Sequence, residues 1–482
     1  MKAHLQEYLH LLIALFMGLL IFFGLSPTNG LTQQGVMLLA IVAPTIYLWL
    51  FVNTHWVSLL FLALLAMTGI MTPNQVWAGA LGHFSIMLVL VFSILSESLN
   101  ETGAIGKIAN WFISRPFVQG RPYAFMGMFF AGNLIIGIFM QNLALAVMFV
   151  ALTARICESL GIKKGEPLYN CFMLGTFWGN SVLSIASPIA KSLPNILIGL
   201  VDTNFGIQIT YAQWLMVGIP FMTVMFGVIM VCIRVVNPDT TPLKNFKVAD
   251  IQNVPLSIRG KISLSAMGIL ILLILLPELF LLAGWLVPIS SYFIRMGATI
   301  PAIVLLIGLC ILRVKENGEY VPVLDFSEST KHVPIKLLLF VAAVVIMGVP
   351  MASAATGVID WLHYLISPLT VMLSPFVLIV VLVLISVILT NFLSNTVVLT
   401  ISTYLGSALI GSLPMGAAAF AVLIAFASSM ACLTPSSVMT APLYYGPEHL
   451  KVKEVAKFNT LFLALATAVL IAFIPLFTAV MG

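Results

Sequence analysis

The chain has 482 residues, of which 61% are hydrophobic and 8% charged, with a formal net charge of +5. Soluble domains carry about 25% charged residues, so composition excludes a water-soluble enzyme or binding module. Long apolar runs recur from end to end, which describes an all-α polytopic membrane protein; a β-barrel would show short alternating segments instead.

In chain order, spans are predicted at 8–24, 34–52, 55–72, 84–100, 168–200, 211–236, 262–285, 290–312, 337–359, 416–446 and 455–481. The first has a charged head and an apolar body without a small-residue cleavage site, so it is expected to be a retained span. Two further apolar stretches, 122–154 and 365–411, exceed the ~20 residues that cross a bilayer. Each carries a polar cluster near its middle, Gln141 with Asn142 in one and the run from Asn391 to Thr396 in the other. A re-entrant hairpin that turns at those residues fits both facts. Non-helical backbone at that depth survives only against protein or water, so both turns are expected to line a cavity.

Loop charge tests this arrangement. With both stretches re-entrant, the basic segments 107–121, 155–164, 234–261, 313–336 and 451–457 fall on one side. The opposite loops, 25–33, 73–83, 201–210, 286–289, 360–364 and 412–415, hold no Lys or Arg. Positive loops stay cytoplasmic, which places the N-terminus inside and the C-terminus outside a bacterial-type cytoplasmic membrane. The result is about eleven transmembrane helices plus two hairpins open to opposite sides, as inverted repeats require. The first repeat is 1–236 with its hairpin facing the cytoplasm. A proline-containing linker, 237–260, joins it to the second repeat, 261–482.

The repeats share a degenerate motif. The run from Phe392 through Leu393, Ser394, Asn395 to Thr396 aligns with Phe139, Met140, Gln141, Asn142 and Leu143, keeping Phe and Asn at one offset. After each hairpin comes a Pro-broken polar segment, with Ser187, Pro188, Lys191, Ser192 and Asn195 in the first half. The second has Ser428, Ser429, Thr434 and Pro435. Broken helices at corresponding points of two repeats aim positive N-termini at a shared cavity, a setting that favours carboxylates.

These motifs resemble those of the divalent anion/sodium symporter family, which carries di- and tricarboxylates. The resemblance covers nearly the whole chain in order and spacing. It implies an elevator-type homodimer in which Gln141, Asn142, Lys191, Ser192, Ser394, Asn395, Thr396, Thr434 and Pro435 surround the substrate. It implies no prosthetic group, and succinate, malate, fumarate and 2-oxoglutarate as the substrate class. The first half departs from the family pattern. Gly137 and Leu143 stand where hydroxyls are expected, and Lys191 replaces a small residue. A fixed ammonium beside a depleted cation site points to a sodium-independent exchanger, similar to the family's dicarboxylate antiporters. The alternative is sodium-coupled symport through a surviving site around Thr390, Ser394 and Asn395.

Each feature has a plainer reading. Ser394, Asn395 and Thr396 could serve helix packing, Gln141 and Asn142 could be ordinary turn residues, and Lys191 could snorkel to the outer interface. The five cysteines stand singly, without metal or disulfide spacing. The basic residues lie in loops beside spans, where anionic lipid headgroups and not nucleic acid are the expected neighbours.

Overall fold

The computed structural model describes residues 2–244, 256–316, 318–331, 333–435, 437–445 and 449–481. The first half runs α1 (Lys2–Gly24), α2 (Gln33–Phe51), α3 (Trp56–Met67), α4 (Pro73–Leu81), α5 (Phe84–Glu101) and α6 (Ala104–Ile113). It continues through α7 (Pro122–Gly137), α8 (Asn142–Ser159), α9 (Pro167–Ser181), α10 (Ser192–Phe205) and α11 (Tyr211–Val236), and ends with the short α12 (Thr241–Lys244). The second half opens with α13 (Ile258–Leu282), α14 (Val287–Met296), α15 (Thr299–Ile311), a two-stranded ribbon of β1 (Arg313–Glu316) and β2 (Glu319–Pro322), and α16 (Phe326–Thr330). Then come α17 (Ile335–Ala352), α18 (Val358–Met372), α19 (Pro375–Thr390), α20 (Asn395–Ser407), α21 (Ala417–Ser428), α22 (Ala441–Tyr444), α23 (Val452–Ala472) and α24 (Ile474–Met481). Among the described residues eight helices are long and apolar enough to cross a bilayer, or ten if two bent pairs each count as one span. Those pairs are α14 with α15, bent by 79°, and α18 with α19, bent by 119°.

Local chemistry explains the starts. Proline occupies the first helical position of α4, α7, α9 and α19, where its missing N–H is no loss. Thr72 and Thr210 form capping boxes with Gln75 and Gln213 at the heads of α4 and α11. The helices are apolar on most faces, so depth in the bundle follows from packing and not from one amphipathic stripe. α1 lies almost bare on the outside, whereas α9 and α21 are buried nearly throughout. Trp178, fully buried on α9, stacks on Phe462 of α23 at 4.6 Å and donates its indole N–H to Asn459 Oδ1 at 2.8 Å.

Each of the two long apolar stretches is broken at its polar cluster into a helix pair, α7 with α8 and α19 with α20, with bounds that differ from those expected. The first extends to Ser159. The second begins at Pro375, because Leu373 and Ser374 break the chain and α18 forms a separate helix that also absorbs the loop expected at 360–364. The expected loop 73–83 is mostly α4, and a β-ribbon stands in the basic segment 313–336. Three expected spans, 55–72, 168–200 and 416–446, are short or interrupted helices. Most of the linker, residues 245–255, and Ser436 of the second break lie outside the described residues.

Glycine sets how closely the hairpins approach the helices behind them. A Cβ on Gly175 of α9 would lie 2.3 Å from Phe130 Cε1 of α7, and one on Gly406 of α20 would lie 1.8 Å from Phe420 Cε1 of α21. Such contact between backbone and ring is available only to glycine. Gly406→Val should therefore destabilise the carrier by about 1–3 kcal/mol, the usual cost of overpacking, read as a lower thermal midpoint in detergent. Adding Phe420→Ala should recover part of the loss. Equal midpoints for wild type and Gly406→Val would refute the close approach.

Candidate functional site

The tips of the two hairpins have one backbone geometry. α7 ends at Gly137, Gln141 is extended (φ −62°, ψ 137°), and α8 begins at Asn142; α19 ends at Thr390, Ser394 is extended (φ −60°, ψ 129°), and α20 begins at Asn395. The aligned Asn residues thus open helices at equivalent points, and helix N-termini favour an anion. Each tip is clamped by the hydroxyl that precedes the proline of its break. Ser187 Oγ donates to Ile138 O at 2.7 Å, and Thr434 Oγ1 donates to Asn391 O at 2.6 Å. Ile138 and Asn391 occupy the same offset in the aligned motifs.

A second equivalence lies at the ends of the central helices. The carbonyl of Ser181, last residue of α9, accepts from Lys191 Nζ at 2.9 Å. The carbonyl of Ser428, last residue of α21, lies 2.5 Å from the Thr390 hydroxyl. Gly137 has no hydroxyl to offer at the position aligned with Thr390, and the ammonium takes that role. Lys191 Nζ also donates to Ser429 Oγ at 3.0 Å, which ties the first break to the second. Its side chain is buried, with 8% exposure, and its hydrogen bonds run inward, so the snorkelling alternative does not hold. A cation at the C-terminus of α9 is also favoured by the helix dipole.

The structure joins several predicted residues through these bonds. Asn142 N–H donates to Ala190 O at 3.1 Å, and Asn180 Nδ2 donates to Asn142 O at 2.7 Å. Thr390 Oγ1 lies 2.9 Å from Asn395 Oδ1. A hydroxyl has one proton, so it serves either Ser428 O or Asn395 Oδ1 and leaves the other open. Asn395 Nδ2 is buried without a protein partner. Ser192 and Thr396 are half-buried, and Ser394 and Pro435 are exposed.

Other predicted residues are engaged elsewhere. Gln141 donates its backbone N–H to Ser96 Oγ at 3.1 Å and its side-chain amide to Ser93 Oγ at 2.7 Å, anchoring the tip to α5. The Thr434 hydroxyl is spent on its clamp. The second break also departs from the expected symmetry. After the first break comes α10, with 14 residues, but the second leads through a long irregular segment to α22, with only 4. The helix N-terminus anticipated there is a single turn, too short to carry a dipole of any weight.

Asn391, the first residue of the predicted polar run, was not among the residues expected around the substrate, yet it organises the second break. Its Nδ2 donates to Val387 O at 2.7 Å and Met430 O at 2.8 Å, and its Oδ1 accepts from the N–H groups of Cys432 and Leu433, both at 2.9 Å. An amide can satisfy both donors and acceptors of a broken helix at once. The available signal was a second Asn four residues before Asn395 in a charge-free stretch. Asn391→Ala would orphan two N–H groups at about 1–3 kcal/mol each. Its thermal midpoint should fall well below that of Ser394→Ala at the exposed tip; equal midpoints would show the irregular segment to be held by other bonds.

A model of the citrate transporter family matches residues 36–431. The sodium-dependent dicarboxylate transporter SdcS of Staphylococcus saprophyticus is 22% identical over 470 residues, covering 92% of this chain and 87% of that protein. A membrane protein of Cupriavidus necator is 23% identical over 256 residues, 48% of each chain. With the hairpins, the broken helices and this match over most of its length, the chain belongs to the citrate transporter family and is a multi-pass membrane transporter, not an enzyme.

Proposed function

We propose that the protein exchanges small dicarboxylates of the succinate, malate, fumarate and 2-oxoglutarate class by alternating access, without need of a sodium gradient. The observation that carries this reading is the position of Lys191 Nζ, bonded to Ser181 O and Ser429 Oγ where the other half uses Thr390. A dicarboxylate loses its hydration on entering the bundle. The N-termini of α8, α10 and α20 each offer about half a positive charge, and the ammonium adds a full one. In this reading Asn142, Asn395 and Thr396 hydrogen-bond the carboxylates, and Lys191 supplies the counter-charge that sodium supplies in a symporter. An empty carrier would hold an unneutralised buried cation, which is costly to move through the bilayer. The loaded form crosses and the empty one does not, so transport becomes exchange. Inverted repeats, an elevator motion, a homodimer, and an N-terminus inside with a C-terminus outside complete the proposal.

Sodium-coupled symport is the second reading. Two observations favour it: the oxygens of Thr390, Ser394 and Asn395 at the second tip, and the sodium dependence in the name of the S. saprophyticus relative. Replacing external sodium by potassium or choline separates the two. Uptake of labelled dicarboxylate into dicarboxylate-loaded proteoliposomes should persist, whereas its abolition would establish symport.

Lys191→Ala should depress substrate affinity and exchange together, with Lys191→Arg retaining part of the activity because charge survives and geometry does not. Exchange by Lys191→Ala at wild-type rate and affinity would remove the basis of the proposal. Asn395→Ala deletes a donor whose bond to a carboxylate is worth about 1.5–3 kcal/mol. Binding measured by calorimetry should weaken about ten- to a hundredfold while the protein stays folded; near-normal affinity would relegate Asn395 to packing.

A further inference from the structure

Asn133 lies on α7 one turn before Gly137 and is 1% exposed. Neither atom of its amide has a protein partner, and Ser184 Oγ, in a residue 6% exposed, is equally unpartnered. Both residues line a cavity of about 10 Å³ behind the first hairpin tip, bordered also by Gly137, Leu145, Gly179 and Met222. Two glycines keep the space open. A Cβ on Gly179 would come within 2.6 Å of Asn133 Oδ1, and one on Gly137 within 3.1 Å of Leu145 Cδ2. The second hairpin solves the same position internally. There the aligned residue is Ser386, whose hydroxyl is satisfied by Leu382 O at 2.8 Å and Ser402 Oγ at 2.9 Å. Asn133 has no such solution and needs a partner from outside the chain.

The chemistry of the two side chains selects that partner. A bare cation would serve the oxygens and leave the amide protons unpaired. A water donates to Oδ1, accepts from Nδ2 and exchanges either role with Ser184. The cavity is also about the size that holds one water. Two further spaces adjoin it through shared walls. A void of about 20 Å³ borders Ile138 and Ser187, which also line the first cavity, and Tyr211 and Ile274, which also line a third of about 310 Å³. That third cavity is largely apolar but carries Asp202, Gln208, Thr210, Glu278 and Arg295 in its wall.

We propose that a water molecule is bound between Asn133 and Ser184 and exchanges with that third cavity past Tyr211. It bridges the first hairpin to the segment that follows α9. The hairpin can then shift by trading bonds with water instead of breaking them between protein groups.

X-ray radiolytic labelling of the full-length carrier in nanodiscs, in water enriched in oxygen-18 and read by mass spectrometry, tests the site. Radicals formed from a bound water oxidise the side chains beside it. Met222, 8% exposed at the cavity wall, should be oxidised several-fold faster than the fully buried Met126 and Met173. Asn133→Leu, which replaces the amide by an apolar group of similar size, should remove that excess. Ser184→Ala should reduce it and serves if Asn133→Leu fails to fold. Ile274→Trp should slow oxygen-18 incorporation at Met222 by filling the middle void. Oxidation of Met222 at the rate of Met173 would overturn the proposal, as would an excess unchanged in both Asn133→Leu and Ser184→Ala. Unchanged incorporation in a folded Ile274→Trp variant would overturn the route.

Discussion

The ammonium of Lys191 is the constraint around which the centre of this carrier is arranged. It is buried, bonded to a carbonyl of one half and a hydroxyl of the other, and it stands at the negative end of α9. A buried charge is tolerated only when its hydrogen bonds are satisfied. Two of its three protons are met, by the last carbonyl of α9 and by Ser429, and a short helical turn over Leu183–Ala186 follows α9. The irregular backbone of both breaks supplies polar groups that unbroken helices would have consumed internally.

Symmetry and its failures carry the mechanism together. The two halves share the hairpin tips, the hydroxyl clamps before each proline, and the last carbonyls of α9 and α21. They differ in what meets those carbonyls, an ammonium in one half and a hydroxyl in the other. They differ again beyond the clamp, where the first half resumes as α10 and the second relies on the amide of Asn391 to hold an irregular segment. Two equivalent sites would bind a symmetric pair of cations. Under the proposed exchange, two unequal ones divide the work into a fixed charge and a set of exchangeable hydrogen bonds.

The surrounding packing buries the helices that carry these polar elements. α9 and α21 are buried nearly along their length, and their own Trp178 and Phe426 pack on Phe462, Trp214 and Phe221 of neighbouring helices. Glycines at 175 and 406 let aromatic rings lie directly on backbone. Without a hydrophobic driving force inside a bilayer, such close van der Waals contact and buried hydrogen bonds hold helices together.

Much of this was legible in the amino-acid order. Apolar length predicted a turn inside two long stretches, because crossing a bilayer needs about 20 residues, and both stretches are interrupted at their polar clusters. The echo of Asn395 in Asn142 pointed to the first residues of α8 and α20, and the charge the sequence singled out at Lys191 is buried. Boundaries were less legible: α18 and α19 are equally apolar, and only the bend at Leu373 and Ser374 separates them. Partner choice was not legible at all. Gln141 is a polar tip residue by sequence, yet α5 happens to present Ser93 and Ser96 to it, 48 and 45 residues away. Composition and periodicity determined that the chain lives in the membrane and where it breaks, since those depend on transfer energy along the chain. Tertiary structure alone decided which polar group meets which, since a hydrogen bond needs its atoms held to within a few tenths of an ångström, and distant segments must supply them.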